Sequence, residues 1–444
     1  MENKLSSILE DYAEKDFARF HVPGHKGRGS RDFYKYDVTE LPFTDDLNCP
    51  SGILKQAEEY ASKIYKSRYS LFSVNGSSGA IMAAIMCCVG EGEKILLPSD
   101  SHISCYYGAM HAGAKISRLR LNDHICGISA DELKNALNKE PDIKAVLVTS
   151  PTYFGCAADL KNISDILKER NIRMIVDEAH GAHLPFDECL PQSGQETGAD
   201  VVIHSCHKTI GALTQTALVH VNCVDIEEAD MRFYLKSVQS TSPSYILVNS
   251  VIDALCGMEN AADCLKNLKT WYNNISERIK AFSKFELLNF GEFTDPLKVT
   301  VNSKVDMKDL EKLLYECGVV AEMYCGDIAV FALGFGSERN DCEKLISAFA
   351  KAQNVLKEKS NTVLPYKMPE PKQALSINKA RRSPMEWVRI DEAKGRISAD
   401  FINVYPPGAC AAIPGDELGG DLIEYILAAE EIHGAQDGKI RVLK

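Results

Sequence analysis

Short apolar stretches that end in polar residues recur through the first half of the chain and alternate with longer segments of helical periodicity. Runs rich in Val, Ile and Leu are typical of strands buried on both faces of a parallel sheet. Strands that alternate with helices imply right-handed crossover connections. The pattern therefore predicts an α/β fold with a mostly parallel sheet. The strand-like stretches begin near Tyr69, Lys94, Ala145, Met174 and Val201.

Polar side chains follow each of these predicted strands. The carboxyl ends of parallel strands meet along one edge of the sheet, and ligands bind there. Each residue taken alone is also explained as a cap or turn residue, but their convergence on one edge indicates a binding site. The residues are Ser77, Ser78, His102, Thr152, Asp177, His180, Ser205, His207 and Lys208.

Lys208 and Asp177 indicate which chemistry this edge supports. A single lysine after a buried strand usually extends its amine to water. An amine and a carboxylate at the same edge are what pyridoxal phosphate requires, because the amine binds its aldehyde carbon and the carboxylate keeps its pyridine nitrogen protonated. The Gly- and Ser-rich turn at residues 75–79 precedes an apolar helix and is a predicted phosphate site. His102 is either structural or stacks on the coenzyme ring.

Four acids outside the predicted sheet are candidates for binding a cationic substrate. Asp45 and Asp46 lie in a loop before a predicted helix, and Asp416 and Glu417 lie in a turn near the end of the chain. Acids beside a helix start are most often caps or dipole partners, and domain packing would also explain the second pair. A guanidinium favours a bidentate carboxylate, so both interpretations stay open at this point.

Changes in the pattern divide the chain into three parts. Residues 1–65 form a helix and a loop segment, residues 66–270 form the predicted sheet domain, and residues 271–444 show a smaller α/β alternation that predicts a C-terminal domain. The YPPG turn at residues 405–408 either overhangs the site of the large domain or only packs the domains together.

Composition excludes several classes of protein. The chain has 444 residues, of which 45% are hydrophobic, enough to form one or two cores, and its net charge of −12 disfavours a nucleic-acid partner. The 15 scattered cysteines favour a reducing compartment. The charged N-terminus and the lack of a long apolar run predict a cytoplasmic protein without a membrane partner. Pro23 and Gly24 separate His21 from His25, so no metal site is predicted.

Eight segments of the chain carry a resemblance to a known family. They are FHVPGHKG, LPFTDDLNCPSG, NGSSGA, PTYFG, VDEAHGAH, SCHKTIGALTQTA, STSPSY and GRISADFINVYPPG. Together they resemble the pyridoxal-phosphate-dependent ornithine/lysine/arginine decarboxylases of fold type I, over nearly the whole chain. The resemblance implies an aspartate-aminotransferase-like large domain, a smaller C-terminal α/β domain, and a homodimer or higher oligomer with sites at the subunit interface. Because HVPGHKG begins at His21, the short form without an N-terminal response-regulator-like domain is expected.

The resemblance also implies roles for individual residues. Lys208 would bind the coenzyme covalently, Asp177 would pair with the ring nitrogen and His102 would stack on the ring. Thr152 would belong to the coenzyme-binding residues, and His180 would lie near the ring edge. The phosphate would be held by Ser77, Ser78, Ser205 and His207, with Thr241 or Ser242 reaching the phosphate of a neighbouring subunit. The loop with Asp45 and Asp46 would line a neighbour's pocket.

The implied activity is decarboxylation of a basic amino acid for polyamine synthesis. Arginine is the first choice of substrate because the short form resembles the biosynthetic branch, and lysine or ornithine come next. The segment ACAAIPGDE has smaller side chains than is typical of the family, which leaves the shape of the substrate pocket open. One alternative is another fold-type-I enzyme, such as an aminotransferase or an oxoamine synthase, but these lack HxPGHK and SxHK. The other is a catalytically silent relative that binds the coenzyme or a polyamine, which the presence of Lys208 and Asp177 disfavours.

Overall fold

The computed structural model describes residues 2–359, 368–369, 371–405, 409–429 and 431–444. Two amphipathic helices, α1 (Lys4–Glu14) and α2 (Ile53–Tyr65), precede the first strand. Each buries one apolar face, which includes Leu9 in α1 and Leu54 in α2. Among the described residues, no helix combines the length and the apolar character that crossing a membrane requires.

A seven-stranded sheet forms the centre of the large domain, with the spatial order β1-β7-β6-β5-β4-β2-β3. Only β7 runs antiparallel to its neighbours, so the predicted α/β class and mostly parallel sheet are confirmed. The strands are β1 (Tyr69–Ser73), β2 (Lys94–Pro98), β3 (Lys115–Leu119), β4 (Ile143–Thr149), β5 (Arg173–Asp177), β6 (Val201–Ser205) and β7 (Ala217–Val221).

Helices cover both faces of this sheet, which explains why its central strands are apolar along their whole length. Ile175 packs on the face covered by α3 and α4, whereas Met174 and Val176 pack on the opposite face with α5 and α6. Each fully buried aliphatic side chain contributes roughly 1.5–3 kcal/mol to folding. The helices are α3 (Gly76–Cys88), α4 (Ile103–Ala112), α5 (Ala130–Lys139), α6 (Leu160–Lys168), α7 (Gly194–Thr197), α8 (Cys206–Thr209), α9 (Glu228–Val238), α10 (Tyr245–Gly257) and α11 (Ala261–Lys280).

A second, antiparallel sheet with the order β10-β11-β9-β8 follows the large domain. Backbone hydrogen bonds connect the two sheets, because Asp295 N–H donates to the carbonyl of Gly155 and Phe335 N–H donates to that of Thr209. The connection brings β9 and β10 close to the carboxyl edge of the large sheet. The elements are β8 (Phe285–Leu287), β9 (Lys298–Ser303), α12 (Met307–Glu316), β10 (Met323–Cys325), β11 (Ile328–Ala332) and α13 (Arg339–Val355).

Small antiparallel sheets and two helices make up the C-terminal region, around a core of their own that includes Ile402 and Leu422. A smaller C-terminal domain is therefore confirmed, while the predicted boundaries at residues 65 and 270 stay a prediction. The elements are β12 (Lys372–Gln373), α14 (Ile377–Arg381), β13 (Met385–Arg389), β14 (Ile402–Tyr405), β15 (Ala409–Ala412), β16 (Asp416–Glu417), α15 (Gly420–Leu427), β17 (Glu431–His433), β18 (Ala435–Gln436) and β19 (Lys439–Leu443).

The strand register places the predicted chemistry on one edge. Asp177, the last residue of β5, lies between Thr149 of β4 and Ile203 of β6. Lys208 follows β6 within the short helix α8, so it projects from the same edge as Asp177.

Candidate active site

A cavity of about 1220 Å³ opens at the carboxyl edge of the large sheet. One wall comes from the strand ends and from the start of α3. The other wall comes from the second sheet and the C-terminal region, and it includes Glu322, Met323, Tyr405 and Glu431. The structure thus brings together eight of the residues that the sequence predicted for coenzyme binding. They are Ser77, Ser78, His102, Thr152, Asp177, His180, His207 and Lys208.

The Lys208 amine lies in contact with the His180 ring, 3.0 Å from Nζ to Nε2. Burial lowers the pKa of Lys208, and the carboxylates of Asp177 and Glu322 oppose part of that shift. Burial, together with the positive charges of Lys298 and Lys208, holds the pKa of His180 well below its usual value. A neutral His180 accepts a hydrogen bond from the Lys208 ammonium, and the lowered pKa makes the uncharged, nucleophilic amine easier to form.

Asp177 and His102 are held in fixed positions on the coenzyme side of the cavity. Asp177 is 5% exposed, and its Oδ1 accepts a hydrogen bond of 3.2 Å from Ala179 N–H. His102 is the N-cap of α4, where its Nδ1 accepts from Ser104 N–H at 3.3 Å and lies 2.8 Å from Ser104 Oγ. Burial lowers the pKa of His102 against the opposing charge of Asp177, so the ring is neutral and suited to stacking.

The start of α3 provides the expected anion site. Gly76 has a φ of +67°, a conformation that favours glycine, and its N–H donates to the Gln215 carbonyl at 2.8 Å. Ser77 and Ser78 follow in the first turn of this 13-residue helix, where N–H groups point along the helix axis toward the cavity end. The Nδ1–H of His207 donates to the Thr216 carbonyl at 3.2 Å, which leaves Nε2 for another partner.

Four of the predicted coenzyme residues differ from the rest in their surroundings. Ser205 is fully buried, and its Oγ has no hydrogen-bond partner in the part of the chain that the structure describes. Thr152 lines the cavity, but its hydroxyl already donates to the Ile125 carbonyl at 2.7 Å. Thr241 and Ser242 lie in an exposed loop and do not line this chain's cavity among its described residues. Their predicted contact with a neighbouring subunit stays a prediction.

Asp45 and Asp46 stabilise the loop before α2. The Asp45 carboxylate accepts four backbone hydrogen bonds of 2.8–3.1 Å. Burial raises the pKa of Asp45, but these four N–H donors outweigh it and leave the pKa below its usual value. Asp46 Oδ1 accepts from Asn48 N–H at 2.8 Å. Neither acid is among the described residues that line the cavity, so the capping interpretation fits this geometry.

Asp416 and Glu417 also lie outside the described lining of the cavity. Asp416 is fully buried and accepts a hydrogen bond of 2.5 Å from Arg118 Nη2. Burial raises the pKa of Asp416, and Arg118 opposes that effect. Glu417 is exposed in β16 and pairs across the strands with Lys372. Of the YPPG turn, Tyr405 lines the cavity, and residues 406–408 lie outside the described residues.

The cavity also contains groups that sequence reasoning missed. Both carboxyl oxygens of Asp100 are buried without a hydrogen-bond partner among the described residues, and burial raises its pKa to about 7. The Tyr153 hydroxyl donates to Glu322 Oε1 at 2.5 Å. Lys298 is 4% exposed beside the Tyr153 ring, and burial lowers its pKa to about 8. Asp100 lies two residues before His102, so its position after a predicted strand could have identified it from the sequence. No comparable pattern marks Glu322.

These side chains fit pyridoxal phosphate. A partly buried amine and a buried carboxylate face the same cavity, a helix N-terminus with two serines lies in its wall, and Ser205 Oγ is a buried hydroxyl without a partner among the described residues. Coenzyme ring, aldehyde and phosphate thus each have a chemically suitable partner. The fold and this set of side chains define a fold-type-I pyridoxal-phosphate enzyme.

Comparison with known proteins gives the family. Residues 4–317 match the major domain of the Orn/Lys/Arg decarboxylases, and residues 353–438 match their C-terminal domain. The arginine decarboxylase of Bacillus subtilis is 31% identical, with 100% of this chain and 97% of that protein covered. The arginine decarboxylase of Halalkalibacterium halodurans is 30% identical over 99% of this chain and 96% of that protein. The chain therefore belongs to the Orn/Lys/Arg decarboxylase family and is a pyridoxal-phosphate-dependent decarboxylase.

Solved structures agree on the fold. The Francisella novicida lysine decarboxylase superposes with a TM-score of 0.81 at 20% identity, covering 100% of this chain and 82% of that chain. The serine palmitoyltransferase of Sphingomonas wittichii gives a TM-score of 0.59 at 20% identity, covering 71% of this chain and 82% of that chain. The decarboxylase likeness thus extends over the C-terminal region as well as the large domain.

Proposed function

We propose that this enzyme decarboxylates arginine to agmatine and that lysine and ornithine are poorer substrates. The observation that carries the proposal is the cavity in which Lys208, His180 and Asp177 meet, because it places a nucleophilic amine and a carboxylate on one coenzyme-sized site. Full-length relatives named arginine decarboxylase support arginine among the basic amino acids.

Each residue has a definite task in this proposal. Bound pyridoxal phosphate supplies an electron-withdrawing ring, which accepts the electron pair left when the bond to CO₂ breaks. Lys208 would hold the coenzyme at its aldehyde carbon until the amino group of the substrate replaces it there and frees the lysine amine, and Asp177 would keep a proton on the ring nitrogen. His102 covers one face of the ring and fixes its plane. The phosphate is held by the start of α3 and by His207.

Lys208 also handles the proton in the proposed reaction. Its amine is hydrogen-bonded to neutral His180, so a proton on Nζ has a defined direction. When CO₂ leaves, Lys208 Nζ donates the proton that replaces it at Cα. Their position inside the cavity limits the access of bulk water, which would otherwise compete as a proton source.

The experiment is a product analysis. The purified protein, supplied with pyridoxal phosphate, is incubated separately with arginine, lysine and ornithine, and CO₂ and the amine are quantified. Agmatine should form with the highest kcat/KM, and Lys208→Ala should form none above background. Faster formation of cadaverine or putrescine would assign a different substrate. A keto acid in place of CO₂ would assign aminotransferase chemistry and overturn the proposal.

We further propose a homodimer, a cytoplasmic location and a role in polyamine synthesis. Aromatic side chains in residues 17–43 are exposed on the single chain, including Phe20 at 93%, and exposed apolar surface of this kind is usually covered by a partner. All 15 cysteines are free, which suits a reducing compartment. Agmatine is a polyamine precursor. Analytical ultracentrifugation should give twice the mass of one chain, and a monomer with full activity would contradict the dimer.

A further inference from the structure

Two cysteines meet beside the active-site cavity. Cys126 lies in the loop between β3 and α5, and Cys156 lies in the segment that leads from β4 to α6. The Cys126 side chain is partly exposed, whereas Cys156 is 4% exposed. Both thiols are free, and they lie in hydrogen-bond contact with each other. The fold thus brings together two thiols that are distant in the sequence.

Thr152 fixes this arrangement. Its hydroxyl donates to the carbonyl of Ile125 at 2.7 Å and accepts a hydrogen bond from the N–H of Cys156 at 3.3 Å. The Thr152 N–H donates to the Cys156 carbonyl at 2.8 Å. Gly127 packs so closely on Thr152 that an added Cβ would lie 3.0 Å from Thr152 Cγ2. Both neighbours of Cys126 therefore contact the residue that also holds Cys156, so the packing of the backbone places the two thiols together.

The two thiols differ in their reactivity. The Cys156 thiol donates a hydrogen bond to the Cys126 sulfur, which lowers the pKa of Cys126, although burial and Asp123 oppose this shift. The same hydrogen bond, together with burial, raises the pKa of Cys156. Because the thiolate is the nucleophilic form of cysteine, Cys126 reacts first, and its partial exposure also makes it the thiol that a small molecule in solution reaches. Cys156 is placed to attack the product of that reaction.

The surroundings of this pair favour redox chemistry. In the part of the chain that the structure describes, no group of three His, Cys, Asp or Glu side chains is arranged to hold a metal ion, so the two thiols do not form a metal centre there. Cys87 and Cys223 also influence each other electrostatically, but burial raises the pKa of both thiols, that of Cys87 to about 12. Cys126 differs from them because its pKa is lowered by a second thiol.

We propose that Cys126 and Cys156 form a redox-sensitive pair, which a hydroperoxide oxidises to a disulfide that lowers the activity of the enzyme. The Cys126 sulfur attacks one peroxide oxygen and the O–O bond breaks. Cys126 becomes a sulfenic acid, and the other oxygen leaves as water or as an alcohol. The Cys156 sulfur then attacks the Cys126 sulfur and displaces the sulfenic oxygen as water. Two thiols lose two electrons, the peroxide gains them, and both thiol protons end on the released oxygens.

The disulfide acts on the wall of the cavity. Its formation shortens the distance between the two sulfurs from van der Waals contact to about 2.05 Å. His124 and Thr152 line the cavity, and they lie in the two segments that the bond pulls together. A displacement of about 1 Å in an active site costs up to about a hundredfold in rate, so oxidation lowers the decarboxylase activity and reduction restores it. A transient disulfide of this kind is compatible with a reducing compartment.

The test begins with a disulfide map of the coenzyme-loaded wild-type protein, which needs no variant. The protein is treated with hydrogen peroxide, its remaining thiols are blocked with N-ethylmaleimide, and it is digested with trypsin without reductant. Cys126 and Cys156 each lie alone in a tryptic peptide, residues 121–134 and 145–161, so their disulfide gives one linked mass. We expect this linked peptide as the main disulfide product. A map in which the two cysteines stay unlinked overturns the proposal.

The second part of the test follows activity. Oxidation should lower kcat/KM of the wild type about threefold to a hundredfold, and a phosphine reductant should restore it. Cys126→Ser should keep the activity of the reduced wild type and lose the response to peroxide, whereas Cys156→Ser should retain a Cys126 sulfenic acid that dimedone traps. Cys189→Ser changes an exposed cysteine outside the described lining of the cavity and is the matched control, which should respond as the wild type does. A linked peptide without a change in kcat/KM, or an undiminished response in Cys126→Ser, overturns the proposal.

Discussion

The cavity has two walls that come from different parts of the chain. On the sheet wall, Asp177 ends β5, His180 lies shortly after it, and Lys208 lies shortly after β6, so the backbone of a neighbouring parallel strand positions each of them. On the opposite wall, Glu322 and Glu431 come from an antiparallel hairpin and from the C-terminal region. The comparison teaches that local strand geometry positions the residues we assign to the coenzyme, whereas the acids of the opposite wall are positioned by how distant segments pack.

Replacing Lys208 tests the sheet wall most severely. Lys208→Ala removes the amine that we propose holds the coenzyme and donates the proton, so kcat should fall about a thousandfold or more. The visible absorbance of the lysine-bound coenzyme should disappear as well. Borohydride reduction of the wild type, followed by peptide mapping, should place the coenzyme on Lys208. Coenzyme found on another lysine would contradict the assignment.

Asp177→Asn is the second test of the sheet wall. The amide has almost the same shape but no negative charge, so it no longer keeps the ring nitrogen protonated, and kcat should fall about 10²–10³-fold. Coenzyme should remain attached to Lys208, as judged by its absorbance. Activity within a factor of ten of wild type would show that another group, such as Asp100, performs this task.

The sheet wall could be predicted from the sequence for a physical reason. Apolar strands and the polar residues at their ends can be recognised locally in the sequence, and parallel strands in general share one carboxyl edge. Asp177 and Lys208 could therefore be placed together without coordinates. The antiparallel direction of β7 was not predicted, because an apolar run carries no sign of its direction.

The surroundings of the candidate acids could not be predicted in this way. The partner of Asp416 is Arg118, which is 298 residues away in the sequence, and no local pattern indicates that this turn is buried. Asp45 was recognised as either a cap or a substrate residue, and its four backbone donors become visible only in the folded loop. Glu322 lies at the start of the β10–β11 hairpin, and no sequence motif marks it.

Lys298 is the first residue of β9 in the second sheet, and its ammonium lies over the Tyr153 ring. We expect its buried charge to affect the stability of the fold rather than the reaction. Burial lowers its pKa to about 8, below the value of 10.5 for an exposed lysine. The folded protein therefore binds this proton less tightly than the unfolded chain. The resulting destabilisation is fully present below pH 8 and disappears as the pH rises toward 10.5.

Lys298→Met should consequently raise the free energy of unfolding at pH 7 by about 1–3 kcal/mol. The gain should shrink as the pH rises and vanish near pH 10.5. Urea unfolding with saturating coenzyme measures both. Lys312→Met, a change at an exposed position of α12, is the control and should show no such pH dependence. A variant less stable than wild type at pH 7 would mean that the ammonium has a stabilising partner.

Substitution of Asp45 has the smallest expected effect. It tests whether an acid that the sequence offered as a candidate stabilises the fold or binds the substrate. Asp45→Ala removes the acceptor of four backbone N–H groups before α2 and should lower the free energy of unfolding by about 1–2 kcal/mol. Asp45→Asn keeps one carbonyl acceptor and tolerates the φ of +65°, so it should lose less. Because the four N–H donors stabilise the ionised form and so lower the pKa of Asp45, the loss on going to alanine should be present at pH 7 and disappear in acid. KM for arginine should not change in either variant; a raised KM with unchanged stability would instead place Asp45 in a substrate pocket, as the loop of a neighbouring subunit.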